Sequence, residues 1–581
     1  MKTYFSSPEH ENLYRQTPSI WLQRSVGLAA WLWLAPVAEA QPTYTPVPLD
    51  NPTPQADARF AEAVAGIGDV NGDGVTDLLV GAPQQFLAGN INQGRAFVFS
   101  GADRSLLLTL NHPAPQQGLA LFGSAVAGIG DVNGDGRADL LVGAPSQTVG
   151  GRADQGQAYV LSGADGRLLL TLNNPIAQAE TAFGAAVAGA GDVNGDGLPD
   201  LLVGAPEQNV GGSFNRGQAF VFSGADGRVL LTLDLLESFR RNSGFGSAVA
   251  AAGDVNGDGA PDLLVGQTFE VDGGVLVFSG ADGSVLRTLD RPPGVEGVSF
   301  GEAVAGIGDV NGDGVPDLAV GAPFTGVGGA FRQGRAFVFS GADASLLRTL
   351  DLPIPDSFAE LGNALSAAGD VNGDGVPDLL VGAPGQDRAL VFGGADASVL
   401  LTLDTPSPDP GGFGEVVAGI GDVDRDGAPD FLVGAPRQGR AFVFVSTPPA
   451  PGPDGAMLPL VPASPRVPLP CNSARCRVPV TCNLAAALGT PCTNRIDLFV
   501  RAPRRLAEDP AARQRRVRFA FINATSVPPG QTANVRLRVT PRGKRIFRTS
   551  RAKRLNGVLA IRNAPGTVID TTPVRIRLRR R

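Results

Sequence analysis

The sequence predicts an all-β protein: a seven-bladed β-propeller followed by a small basic β-sandwich. Three observations carry this. A nine-residue Asp/Asn/Gly loop occurs seven times, each copy lies inside a longer repeat of four short apolar runs, and charge and cysteine content change abruptly near residue 450.

The loop is Asp69-Val70-Asn71-Gly72-Asp73-Gly74-Val75-Thr76-Asp77, and its copies begin again at Asp131, Asp192, Asp254, Asp309, Asp370 and Asp422. Side-chain oxygens stand at positions 1, 3, 5 and 9, and a Gly at position 6 permits the positive φ of a sharp turn. Hard oxygen ligands at alternate positions of a tight loop suit calcium. The candidate ligands are Asp69, Asn71, Asp73, Asp77; Asp131, Asn133, Asp135, Asp139; Asp192, Asn194, Asp196, Asp200; and Asp254, Asn256, Asp258, Asp262. The later loops supply Asp309, Asn311, Asp313, Asp317; Asp370, Asn372, Asp374, Asp378; and Asp422, Asp424, Asp426, Asp430. Position 7 contributes a backbone carbonyl, from Val75, Arg137, Leu198, Ala260, Val315, Val376 and Ala428 in turn. The ninth-position Asp is expected to be bidentate, and up to seven Ca2+ ions are expected. An EF-hand is excluded, because it needs a Glu at position 12 and position 12 is Val in all seven copies.

That Val lies in an apolar run such as Leu78-Leu79-Val80-Gly81-Ala82-Pro83, too short for a helix and closed by Gly and Pro, so the loop leads into a strand. The unit at residue 183 shows the whole repeat. It runs through Phe183–Gly189, the loop, Leu201–Pro206, a variable segment, Gln218–Gly227 and Val229–Leu233. Four β-rich runs separated by turn residues make one four-stranded antiparallel blade.

Phe-Gly before the loop and Gly-Ala-Pro after it resemble the FG-GAP repeat of integrin α-subunit heads and of many secreted bacterial proteins. That resemblance implies a ring of seven units over about 400 residues and a role in adhesion or ligand binding. Phe60-Ala61, Leu361-Gly362 and Gly266-Gln267-Thr268 depart from the pattern. The last unit lacks a fourth strand after Ala441–Phe444, and the segment at residues 44–50 aligns with the fourth-strand segment Leu170–Pro175, so it is expected to complete the last blade.

The two charge regimes mark two bodies. From residue 451 onward there are 26 Lys and Arg against 5 Asp and Glu, which leaves a net −29 on residues 1–450. Residues 1–40 resemble an export signal: an apolar core at 26–37 precedes Ala38-Glu39-Ala40 and is too short to span a bilayer. The propeller is expected at 41–446, a Pro-rich linker at 447–470 and the basic sandwich at 471–581. Cys471, Cys476, Cys482 and Cys492 lie in the basic module, where export favours disulfides whose pairing stays open. Apolar/Arg alternation in 517–521, 535–539 and 574–578 places Arg on one sheet face. The module resembles the Arg-rich immunoglobulin-like modules that end some secreted bacterial proteins, which implies an immunoglobulin-like sandwich.

No Ser/His/Asp set, Cys/His set or phosphate-cradling loop appears. His112 is expected to face solvent in an inter-blade loop. The protein is therefore expected to be a secreted or surface-exposed, calcium-binding, non-catalytic adhesion or ligand-binding module, with no transmembrane helix after signal cleavage. The alternative is a secreted polysaccharide lyase or hydrolase, which requires charged or aromatic departures around one mouth of the ring. A protein or glycan ligand is assigned to the face opposite the calcium loops, at residues 84–94, 146–156, 207–217, 237–244 and 324–334. Export argues against nucleic acid as the partner of the basic module. An anionic envelope polymer fits better, with lipid headgroups or the acidic propeller itself as other partners.

Overall fold

In the computed structural model, residues 43–447 are described except 88–91, 114–118, 236–242, 269–273, 294, 296–298 and 409–410, together with strands between 460 and 578. The expected export signal lies outside them. Residues 43–447 form seven four-stranded sheets. In the third blade the strands are Val187–Gly191, Asp200–Ala205, Gln218–Phe222 and Val229–Leu233, hydrogen-bonded in that order.

Burial explains the repeat's pattern. The second strand of each blade is buried throughout, because both of its faces pack against other blades, and it accordingly reads Asp-Leu-Leu-Val-Gly-Ala, or a close variant, without polar alternation. The outermost strand is largely exposed or half-buried, with one buried Leu near its end, as Leu110, Leu172 and Leu233. The apolar cores lie between successive blades: one joins Ile129, Leu141 and Val160 to Phe183, Val203 and Phe220.

The two sequence marks of the repeat lie at this contact. The Phe-Gly phenyl rings are almost fully buried, and Leu361 fills the same slot in the sixth blade. The N–H of the following residue donates to the carbonyl of its own blade's Gly-Ala-Pro Gly, as in Gly184 to Gly204 and Ala61 to Gly81, at 2.9 and 2.8 Å. A Cβ on Gly143 would stand 2.0 Å from the Gly184 carbonyl oxygen of the next blade, so the blades approach too closely for any side chain there. The fourth unit keeps that Gly, Gly266, although Gln267 and Thr268 replace Ala and Pro.

Ring closure is as expected. Thr43–Asp50 pairs antiparallel with Arg440–Thr447, in the register Tyr44 to Ser446 and Leu49 to Ala441, and makes the fourth strand of the last blade. Leu49, Phe60, Leu78 and Phe97 share a core with Ile420, Leu432 and Val443, so the last and first blades pack like any other pair.

His112 departs from expectation. It is 2% exposed, its Nε2 lies 3.2 Å from the Tyr159 hydroxyl, and its ring meets Phe122 and Tyr159 edge-on. The segment Leu110-Asn111-His112-Pro113 repeats Leu172-Asn173-Asn174-Pro175, and Asn174 is buried too, so the loop tucks this position inward in both blades.

Beyond residue 447 the described residues all lie in strands, and the three runs of apolar/Arg alternation each fall in one: Arg516–Val527, Thr532–Val539 and Val568–Leu578. Two short strands, Leu460–Pro462 and Leu469–Cys471, arise from the Pro-rich stretch and pair with this sheet. The expected disulfides and the Arg-bearing face concern side chains outside the described ones.

Candidate metal loops and the opposite face

The fifth loop shows how the nine residues fold. Asp309 accepts N–H bonds from Gly312, Asp313 and Gly314 at 2.6, 3.1 and 2.8 Å. Asn311 Oδ1 accepts from Asp313 N at 2.8 Å, and Asp313 Oδ1 from Val315 N at 2.7 Å. Short polar side chains thus cap the turn locally, and Gly312 and Gly314 adopt φ of +79° and +90°. Asn311 and Asp313 remain exposed.

The ninth Asp occupies a different environment. Asp317 is fully buried, and its oxygens accept from Val310 N and Asn311 N at 2.9 and 3.2 Å. It also accepts from Gly341 N, in the hairpin between the blade's third and fourth strands, at 3.2 Å. Asp77, Asp139, Asp200, Asp262, Asp378 and Asp430 are buried in the same way. They reach Gly101, Gly163, Gly224, Gly280, Gly394 and Ser446. Sequence reasoning missed this tie between loop and hairpin. It places both on one face of the ring, as the order of strands requires.

Burial pushes all seven of these carboxyls above the usual range, against the pull of their N–H partners, and to about 6 for Asp378 and Asp430. An ionised carboxylate with no cation beside it is costly in such a place. A divalent ion held by the loop would supply the missing charge, so the donor set fits a hard cation. In the seventh loop, Asp422, Asp424 and Asp426 each bring a carboxylate oxygen within 4.8 Å of the others, the only such group among the described residues. Ser446 Oγ donates to Asp426 at 2.7 Å.

The opposite face carries the variable segments and inter-blade loops. Of the exposed large apolar side chains, Phe86, Leu119, Ile176, Phe214, Phe331, Ile354 and Phe358 all lie there, with Phe214, Phe331 and Ile354 at 70%, 63% and 79% exposure. Phe331 and Phe358 meet edge-on at 5.5 Å, and the Arg332 guanidinium lies 4.1 Å from the Phe324 ring while bonded to Glu360 at 2.8 Å. Much of 237–244 lies outside the described residues. At the start of the inner strands, Arg59 bridges Glu62 and Glu415, and Arg437 also reaches Glu415 at 3.3 Å.

The fold and its sites thus define a seven-bladed β-propeller with acidic turn loops on one face and an apolar-studded loop face on the other. The chain carries FG-GAP repeats. The FG-GAP repeat family matches residues 60–99, 122–161, 300–339 and 361–401, and the FG-GAP-like repeat family matches 192–265. The chain is similar to integrin alpha-5 of Xenopus laevis, 34% identical over 39% of this chain and 21% of that one. It is 36% identical to integrin alpha-IIb of Mus musculus over 28% of this chain and 18% of that one. Integrin alpha-4 of Xenopus laevis is 27% identical over 53% of this chain and 28% of its own length. The chain thus spans only 18% to 28% of these relatives' length. No helix among the described residues is long and apolar enough to cross a membrane.

Proposed function

We propose that the protein is an exported, non-catalytic adhesion or ligand-binding module, stabilised by calcium on one face and taking a protein or glycan ligand on the other. The supporting observation is the distribution of exposed apolar side chains. Seven large ones lie on the loop face, and Phe331 and Phe358 pack against each other there, the start of an apolar patch of the kind that marks an interaction site. Loops on a rigid scaffold are also where recognition residues concentrate, and similarity to integrin alpha subunits points the same way.

Calcium would be held at positions 1, 3 and 5 and by the position 7 carbonyl, with the buried ninth Asp as the remaining carboxylate. Its role is charge compensation and rigidity, not chemistry. One observation favours the enzyme reading: Glu62 and Glu415 stand together at the loop face, and burial holds the Glu62 carboxyl above its usual range. Arginines engage both carboxylates, which suits a structural cluster better than an acid/base pair. Glycan and protein arrays probed with the calcium-loaded protein test the proposal. Binding that disappears in Phe214→Ser/Phe331→Ser supports it; binding indifferent to these changes, or turnover of a polysaccharide lost in Glu415→Gln, overturns it.

A further inference from the structure

The seven loops are nearly identical, and only two basic residues occur in all of their 63 positions: Arg137 at position 7 of the second loop and Arg425 at position 4 of the seventh. Both reach out of their own loop into the first. Arg137 Nη1 donates to the Val70 carbonyl, and Arg425 Nη2 donates to the Asp73 carbonyl. The two guanidinium groups lie close over the turn: a methyl on Gly72 would be 3.1 Å from Arg137 Nη2, and one on Gly74 would be 3.5 Å from Arg425 Nη2. They arrive from opposite sides, one from the second blade and one from the seventh.

We infer that Arg137 and Arg425 clamp the first loop with fixed positive charge in place of calcium, so that it stays empty at concentrations filling the other six. This rests on the calcium reading above. Three features of the geometry carry it. The first loop carries three carboxylates, as do loops two to six, but two guanidinium charges stand against them. Arginine cannot relieve this by losing its proton. The carbonyls that the guanidiniums engage belong to the loop's own turn, so the clamp also provides some of the rigidity an ion would give. The seventh loop, by contrast, sends its arginine away and keeps four Asp, three of which converge. It is then the tightest of the seven sites, and the first is the weakest. Each unit charge near a divalent ion weakens its binding by about tenfold in a water-like dielectric, and by less once salt screens it.

The test is the calcium content of the full chain, measured by elemental analysis after equilibration at rising free calcium. The expected plateau is six ions per chain, with a seventh appearing in Arg137→Ala/Arg425→Ala at about the concentration that fills the others. Should the double variant fold poorly, Arg425→Ala alone removes half of the clamp, and its seventh ion should bind about tenfold more tightly than in the native chain. Seven equivalent ions in the native chain, or a plateau of six that neither variant changes, would overturn the inference while leaving calcium binding intact. A chain that takes up no calcium in any form would overturn the parent reading and this inference with it.

Discussion

Leu49→Ala perturbs the closing strand at its most buried point. Leu49 is 3% exposed in the core shared by the last and first blades, and truncating a buried Leu costs about 3 kcal/mol through lost transfer energy and a residual cavity. Leu110 holds the same position in the fourth strand of the first blade, 2% exposed, and Leu110→Ala provides the internal standard. Tyr44→Phe keeps the ring against Phe431, whose centroid is 5.1 Å away, and removes the hydroxyl's bond to the Pro429 carbonyl at 2.9 Å, for about 1 kcal/mol. The two changes should add to within about 0.5 kcal/mol, giving about 4 kcal/mol in the double variant. Urea unfolding of calcium-loaded protein measures each. Proteolysis should also move to the 43–50 segment as the edge of the last blade opens. If Leu49→Ala costs under about 1 kcal/mol while Leu110→Ala costs about 3, residues 43–50 do not complete the ring in solution.

Three further outcomes are expected. Ala61 takes the place of the motif's Gly at φ +69°, so Ala61→Gly should stabilise the protein by about 0.5–1 kcal/mol in the same urea assay. Gly321→Ala should instead cost about 3 kcal/mol or prevent folding, because the new Cβ would sit 2.0 Å from the Gly362 carbonyl of the next blade; circular dichroism and expression yield read this directly. Asp378 and Asp430, held near 6 by burial, bind protons more tightly folded than unfolded. In metal-stripped protein their stabilisation is present below about pH 4 and lost as pH rises through about 6, for about 3 kcal/mol each. Metal-stripped protein should therefore melt higher at pH 5 than at pH 7.5, calcium should reverse that order, and Asp378→Asn should flatten the metal-free slope.

Repetition is what made the fold legible. A single Asp-x-Asn-Gly-Asp-Gly stretch is an ordinary turn, but seven in register with flanking Phe-Gly and Gly-Ala-Pro fix the blade and its number. The closing strand was legible for the same reason, since Leu49-Asp50-Asn51-Pro52 repeats Leu172-Asn173-Asn174-Pro175. That same alignment held the signal for His112, which occupies the buried position of Asn174; its place in a loop suggested exposure, and the aromatic box of Phe122 and Tyr159 decides otherwise. What local sequence could not supply was contact between segments far apart. The ninth Asp reads as a loop residue until Gly341 arrives from the next hairpin, and Arg137 reads only as a position 7 carbonyl until the ring brings its side chain onto Val70, 67 residues earlier.

The most direct test of a calcium-stabilised propeller is a pair of melting curves on the full chain, one at millimolar calcium and one after stripping with chelator. With free calcium at about ten times a typical extracellular-module dissociation constant, each filled loop adds about 1.4 kcal/mol, or about 8 kcal/mol over six. That is comparable to the whole net stability of a typical domain. The account predicts a fall of many degrees on stripping, new protease cuts at the acidic loops, full recovery with calcium and little with magnesium, which demands tighter octahedral geometry. Superimposable curves would contradict it and return the seven loops to ordinary turns held by their own hydrogen bonds.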